Sequence, residues 1–430
     1  MFLFMLAFIA LIIIRPQEYP VLAGTIPVPL LPLSIAGAAL CWLFSSRKTF
    51  AAPQYLLLLA FLLALMMSKV VNGWMGGALM VLSRFGLCVV AFVLIANAMN
   101  TRRRIHAAMV VFCLCATVLA VHGIDQVRTG IGWTGAELSQ GTRIQYIGIF
   151  GDPNDLGLLF AMCVPMALYL SGRGGGLGLR RLFWWAVAAV LLYGIVLTDS
   201  RGTLLAVAAM VGVYIWMRRG IVAAGIMGVG ALGAMMLLPS RLQQLEVGEA
   251  SAMGRVESWY HGLQMFFGKP VLGVGAGAYS DIYYLTAHNS FVLVLAESGF
   301  IGFCIWIAFL GYCILMPLAA VRSPLPPGTV DPAAVDPAVM ADWQVDRKLA
   351  AALLLSMCGF LASGFFLSRS YVVVLYMLAA LVTAQYWDMK TRHPALQAFS
   401  LGQDILRWPA YTAAGIAGLY VGVKVLLAVA

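Results

Sequence analysis

Long apolar runs recur along the whole chain, and short clusters of charge, Gly and Pro separate them, the pattern of helices that cross a membrane one after another. Spans are predicted near residues 1–14, 28–45, 54–70, 77–97, 105–123, 154–171, 182–198, 203–217, 221–238, 289–321, 349–367, 370–387 and 409–430. A helix needs roughly 20 residues to cross unaided. The first run is shorter and the last carries Lys424, so the prediction is an all-α polytopic membrane protein of 12 to 13 transmembrane helices in one integral membrane domain, 1–430. Residues 239–288 form the largest outer loop, too small for a core of its own, with Trp259, Tyr260, Phe266, Phe267, Tyr279, Tyr283 and Tyr284 expected as anchors at the membrane interface. Residues 322–347, rich in Pro and Asp, read as a flexible inner linker.

Composition closes off the alternatives. At 62% hydrophobic residues and a mean hydropathy of +0.93, no soluble fold fits. The opening MFLFMLAFIALIII has no basic region before it and no small-residue cleavage site before Arg15, so it is read as the first helix and not as a removed signal peptide. Eight cysteines lie almost wholly inside apolar runs. The nearest pair, Cys113 and Cys115, stands two apart on a helix, where side chains do not face each other. They are read as packing residues, with neither disulfides nor metal ligands implied.

The net charge of +10 is a topology signal. With the N-terminus inside, inner segments hold sixteen basic and six acidic residues, among them Arg102, Arg103 and Arg104, while the eleven of each sign that remain outside cancel. Anchoring to lipid headgroups accounts for such a distribution, and no basic patch with interleaved aromatics suggests nucleic acid.

Basic residues on the outer side are therefore informative, because membrane insertion did not require them there. Arg201, in TDSRGTLL, sits in a tight turn between two spans, where a charge is costly unless it is paired or functional; a salt bridge to Asp199 is the structural alternative. Arg255, in GRVESW, lies in a stretch of the outer loop that reads as helical. His288 stands where that loop enters a long apolar helix, either as a proton acceptor near neutrality or as a simple helix cap. Together, two guanidiniums grip a diphosphate bidentately while an imidazole serves the attacking hydroxyl. Candidate substrate contacts are Asn289, Glu297, Asn154, Asp155 and Tyr279; Glu297 is alternatively a buried structural group and GDPND at 151–155 a helix cap. GVGAG at 273–277 lacks the strand, helix and acid of a dinucleotide-binding unit and reads as a flexible hinge before His288. No P-loop, HExxH or CxxC occurs, so neither cofactor nor metal is expected.

In TDSRG at 198–202, GRVESW at 254–259, GVGAGAY at 273–279 and HNSFVLVLAESGFIG at 288–302, the sequence resembles the O-antigen ligase and polymerase superfamily of bacterial membrane glycosyltransferases. The resemblance covers about 145–320. It implies a fold related to the C-type glycosyltransferases and a bacterial inner-membrane location with the site facing the periplasm. It also implies an undecaprenyl-diphosphate-linked glycan as donor, transferred without metal or nucleotide. Diphosphate recognition falls on Arg201 and Arg255, and His288 stands beside the acceptor, which is a glycan, a lipid A core or a protein. Membrane lipids are the remaining partners. Single displacement, with inversion, follows from the lack of a carboxylate nucleophile beside His288. One dominant outer loop favours a ligase over a polymerase. A lipid-linked solute transporter is the alternative from another class, and it requires charges along a central path rather than at one face.

Overall fold

The computed structural model describes the 430 residues apart from 21, 23–28, 47, 174–177, 237–244, 330–334 and 430, so part of the expected outer loop and part of the expected linker lie outside the described residues. Among the described residues sixteen α-helices follow one another: α1 Phe2–Ile14, α2 Leu30–Leu43, α3 Pro53–Val71, α4 Met75–Ala98, α5 Arg102–Thr129, α6 Pro153–Ser171, α7 Leu179–Leu197 and α8 Arg201–Arg219, then α9 Ile221–Met236, α10 Leu245–Gly268, α11 Tyr279–Ile282, α12 Ser290–Arg322, α13 Pro337–Gly364, α14 Val373–Arg392, α15 Leu401–Asp404 and α16 Arg407–Val429. Among the described residues there is no strand beyond two isolated bridges.

Seven of these helices, α3 to α7, α12 and α16, are long and apolar enough to cross a membrane, which supports a multi-pass membrane protein with fewer clear spans than the expected 12 to 13. The other expected spans are helical but shorter, as α1 and α2 are, or carry charge at their ends, as α8 does at Arg201, Arg218 and Arg219. Of the seven, α6 is the most enclosed and α16 the least. Around α6 pack α5, α7, α8 and α13; α3, α4, α12 and α14 form the adjoining group, and α10 and α16 lie against α12.

Two stretches are more ordered than their composition suggests. The outer loop contains the 24-residue helix α10, and Trp259, Phe266 and Tyr279 are buried in the protein instead of lying at a membrane interface, whereas Phe267 and Tyr284 remain exposed. The linker is helical from Pro337 onward, with Asp336 capping α13 through Ala338 N at 2.8 Å and Trp343 fully buried. At that end of the bundle Arg102 and Arg392 hold Asp342 and Asp346, tying α5, α13 and α14 together.

The arrangement that positions the site is a break in α12. Gly299 has φ +62° and ψ −164°, which ends one helical segment and starts another. An interrupted helix leaves carbonyls and N–H groups without partners, a heavy cost in an apolar surrounding. Here the loop after α10 supplies them. Val274 N and Gly275 N donate to the carbonyls of Ala296 and Glu297 at 2.9 and 3.0 Å, while Phe300 N and Ile301 N donate to Pro270 and Val271 at 2.7 and 3.2 Å. A Cβ on Gly273 would stand 2.4 Å from the Glu297 carbonyl carbon, and one on Gly299 2.5 Å from that of Val271. Gly273 of GVGAG thus serves close backbone approach, while Gly275 and Gly277 take positive φ. The segment is a docked strut and not the expected hinge, and it is clamped to α3 as well, through Ala276 N to Ser68 Oγ at 3.0 Å and Asn72 Nδ2 to the Gly273 carbonyl at 3.0 Å.

Candidate functional site

Helices α6, α8 and α12 all begin at the same end of the bundle, and each start is fixed by its own cap. Asp152 Oδ1 accepts from Asn154 N at 2.7 Å, Ser200 Oγ from Thr203 N at 3.3 Å, and Asn289 Oδ1 from Phe291 N and Val292 N at 2.8 and 3.1 Å. Small residues let these ends approach: a Cβ on Gly157 would lie 2.2 Å from Thr203 Oγ1, and one on Gly262 of α10 2.4 Å from Val292 Cγ1. Three helix N-termini, each with positive partial charge, make this end attractive to anions.

Asn289 is the cap of α12, so His288 is not. His288 sits one residue earlier with φ +47°, a left-handed conformation in which non-glycine residues are uncommon, and its half-buried ring makes no hydrogen bond among the described residues. Burial, then the Arg255 charge, holds its pKa below the ordinary imidazole value, with Asp152 opposing and Arg369 adding to the effect. A neutral ring, able to accept a proton, results.

Arg201 is the first residue of α8, exposed at a helix N-terminus where a cation is disfavoured by the dipole. The expected alternative, an ion pair with Asp199, is absent among the described residues; Asp199 instead takes φ +45° to form the turn. Arg255, on α10, is half-buried and likewise has no hydrogen bond or ion pair among them. Burial, Arg143 and Arg201 lower its pKa, against Asp152. Arg201, Arg255 and His288 are therefore brought into one electrostatic neighbourhood, with Arg255 between the other two.

Two further arginines belong to it that sequence reasoning missed. Arg143 donates through Nε to the Thr198 carbonyl at 2.9 Å and through Nη2 to Asn154 Oδ1 at 3.0 Å, binding the loop before α6 to the turn before α8. Arg369, in the turn between α13 and α14, forms a two-pronged ion pair with the buried Asp155. Burial works against its charge, but Asp155 more than offsets this and raises its pKa. The signal for Arg369 was available: a lone Arg in a short outer turn, the same reasoning that picked out Arg201. Among the described residues, four guanidiniums then face two carboxylates, Asp152 and Asp155, and the surplus sits on Arg201 and Arg255, the pair without a partner among them.

The remaining candidates have structural places. Asn154 bridges Arg143 and Asp152, and Asp155 is taken by Arg369. Glu297 is 2% exposed; its Oε1 accepts from Tyr279 N at 3.3 Å, and Tyr371 lies near Oε2 without a hydrogen bond. Tyr279 is 1% exposed and its hydroxyl donates to the Ser258 carbonyl. Asn289 is fully buried. These three hold the loop, α10 and α12 in register beneath His288 and do not line the open face.

Among the described residues, a set of three side chains able to ligate a metal is formed by Asp342, Asp346 and His393, at the opposite end of the bundle and already engaged with Arg102 and Arg392. The residues around His288 form no such set.

A family model described as O-antigen ligase matches residues 186–307, from within α7 to within α12. No curated protein matches the chain. The match supports membership in the O-antigen ligase superfamily, and it contains Arg201, Arg255 and His288 but neither Arg143 nor Arg369.

Proposed function

We propose that this member of the O-antigen ligase superfamily is a ligase that moves a glycan from undecaprenyl diphosphate to an acceptor hydroxyl, on the periplasmic side of a bacterial inner membrane, without metal or nucleotide. The observation that carries the reading is the pair of guanidiniums, Arg201 and Arg255, that have no partner among the described residues, beside an imidazole that also has none among them, at the convergence of three helix N-termini. A half-buried arginine without a counter-charge costs stability, and an anionic ligand offsets that cost.

The anomeric carbon of such a donor already carries a good leaving group. His288 accepts the acceptor's hydroxyl proton as the acceptor oxygen forms its bond to the anomeric carbon; the bond from that carbon to the diphosphate oxygen breaks, and its electron pair leaves with the diphosphate. Arg201 and Arg255 stabilise the departing charge, with the helix N-termini behind them. Arg369 holds Asp155, and Asp152 is engaged as the cap of α6 through Asn154, so neither is offered as a covalent nucleophile and one displacement inverts the centre. The reaction then requires positioning and charge stabilisation, which this end of the bundle supplies.

A polymerase would share donor and chemistry and differ in acceptor. The single outer segment between α9 and α12, carrying both Arg255 and His288, supports the ligase reading. The test is the surface glycan of a deletion strain. A ligase leaves polymerised, lipid-linked donor accumulating with none on the final acceptor. Accumulation of single lipid-linked repeats instead overturns the ligase assignment.

A further inference from the structure

At the end of the bundle opposite His288, a cavity of ≈ 1010 Å³ opens between α7 and α8. The two helices meet at the turn that carries Arg201 and then part: α7 packs on α5 and α6, α8 on α13 and α9. α6 measures the separation from the site, since Asp155 is at its first turn and Ser171, which lines the cavity, is its last residue, about 24 Å away at 1.5 Å per residue.

The cavity has two chemically different parts. Val164, Leu168, Val207 and Met210 form an apolar wall, continued outward by Trp185 and Tyr214, which are 49% and 46% exposed. The rim is basic: Arg173, Arg181, Arg218 and Lys348 line it, and none makes an ion pair among the described residues. Arg102 also lines it but is held by Asp342 and Asp346. Among the described residues, no acidic one does. Two buried polar atoms of the lining lack partners, Arg181 Nε and His106 Nδ1. A cluster of unmatched cations beside an apolar cleft that opens sideways fits an amphiphile with an anionic head and hydrocarbon tails, and it fits neither a neutral lipid nor a soluble apolar ligand.

We propose that this cavity binds an anionic glycerophospholipid of the leaflet on that side, its phosphate among Arg173, Arg181, Arg218 and Lys348 and its acyl chains along α6 and α8 between Trp185 and Tyr214. The site is independent of the glycan-transfer chemistry, its basic rim about 24 Å along α6 from it.

Native mass spectrometry of the full-length protein released from vesicles of phosphatidylglycerol mixed with phosphatidylcholine tests this. Retention of phosphatidylglycerol over phosphatidylcholine is expected. A basic residue near an anionic lipid contributes about fivefold in affinity, so Arg173→Gln with Lys348→Gln should weaken retention about 30-fold, while Arg173→Lys keeps it. Arg218→Gln, at an exposed position, provides a second variant with little risk to folding and should cost about fivefold. Equal retention of the two lipids, or retention unchanged in the double variant, overturns the proposal. So does displacement of the bound lipid by inorganic phosphate at matched ionic strength, which identifies a free-anion site instead.

Discussion

Arg369 and Asp155 clasp each other across the bundle, Arg369 Nη2 donating to Asp155 Oδ2 at 2.6 Å and Nε to Oδ1, so that the turn between α13 and α14 is fixed to the first turn of α6. The same turn is stapled to α12, since Arg369 N donates to Ser290 Oγ at 2.9 Å and Ser370 Oγ to the Ser290 carbonyl at 2.8 Å. The pair thus connects two of the three helix N-termini that converge near His288. Arg369→Ala would strand a carboxylate that is 5% exposed and should cost about 3–5 kcal/mol of stability. Asp155→Asn with Arg369→Gln, which leaves no charge unpaired, should lose clearly less. Thermal unfolding in detergent compares them, and equal losses would show that geometry, not charge, carries the link.

Gly299 and the strut it receives supply the second prediction. A side chain at 299 meets the Val271 and Gly273 backbone, and the φ +62°, ψ −164° conformation, essentially restricted to glycine, adds roughly 1–3 kcal/mol of strain for any L-residue. Gly299→Ala should therefore lower the thermal midpoint and detach the loop leading to His288, read as faster proteolysis between 269 and 278. An unperturbed midpoint would mean that the break tolerates a Cβ and that the loop is held elsewhere.

How much of this was legible in the sequence depends on whether a residue's partner is local. Arg201 could be found because two apolar runs leave no room for a long loop, which confines the charge to the bundle's end. Arg369 obeys the same rule, but its meaning comes from Asp155, more than 200 positions earlier, and no local pattern joins them. The glycines of GVGAG serve mobility and close contact equally well as sequence; only the break at Gly299, in a different helix, decides for contact. Asn289 and His288 illustrate the opposite case, adjacent residues whose roles separate only when the cap geometry is seen. Trp259 and Tyr279 looked like interfacial aromatics because composition cannot distinguish a membrane surface from the underside of α12.

Orientation is tested by labelling. In a Cys41→Ser background, which removes the exposed native thiol, Glu137→Cys lies at the His288 end and Pro324→Cys at the other, both at exposed positions. With the outer membrane permeabilised, an impermeant thiol reagent applied to intact cells should modify the first and spare the second. Labelling of Pro324→Cys alone would turn the site toward the cytoplasm and remove the basis for a periplasmic reaction.

The lowered pKa of His288 gives a pH expectation. The base is active when deprotonated, so kcat/KM should fall on the acid side only below the ordinary value of about 6.5. Asp152 is the neighbour that raises this pKa, so Asp152→Asn should move the acid limb further down. Bound donor brings negative charge next to the ring, so the limb in kcat should lie above that in kcat/KM. A limb that does not respond to Asp152→Asn would point to another titrating group.

The roles of Arg201, Arg255 and His288 separate in one experiment because none of them holds the fold together. Arg201 and Arg255 have no partner among the described residues, so Arg201→Ala and Arg255→Ala should leave folded yield and thermal midpoint nearly unchanged while weakening binding of the lipid-diphosphate donor, by at least tenfold at roughly 1.5–3 kcal/mol for a charge-assisted hydrogen bond. Lysine at either place keeps the charge but loses the planar fork that meets two phosphate oxygens, so rescue should be poor. His288→Ala should bind donor normally and turn over at least a hundredfold more slowly, the lower range for general base catalysis. His288→Asn is the decisive variant: asparagine accepts the left-handed backbone at least as readily as histidine, and Asn289 still caps α12, so the fold should be intact. An amide cannot take the acceptor's proton, and the variant should be as slow as His288→Ala. If His288→Asn transfers glycan at the wild-type rate, the imidazole is not the base, and the proton must leave by way of water or the substrate's own phosphate.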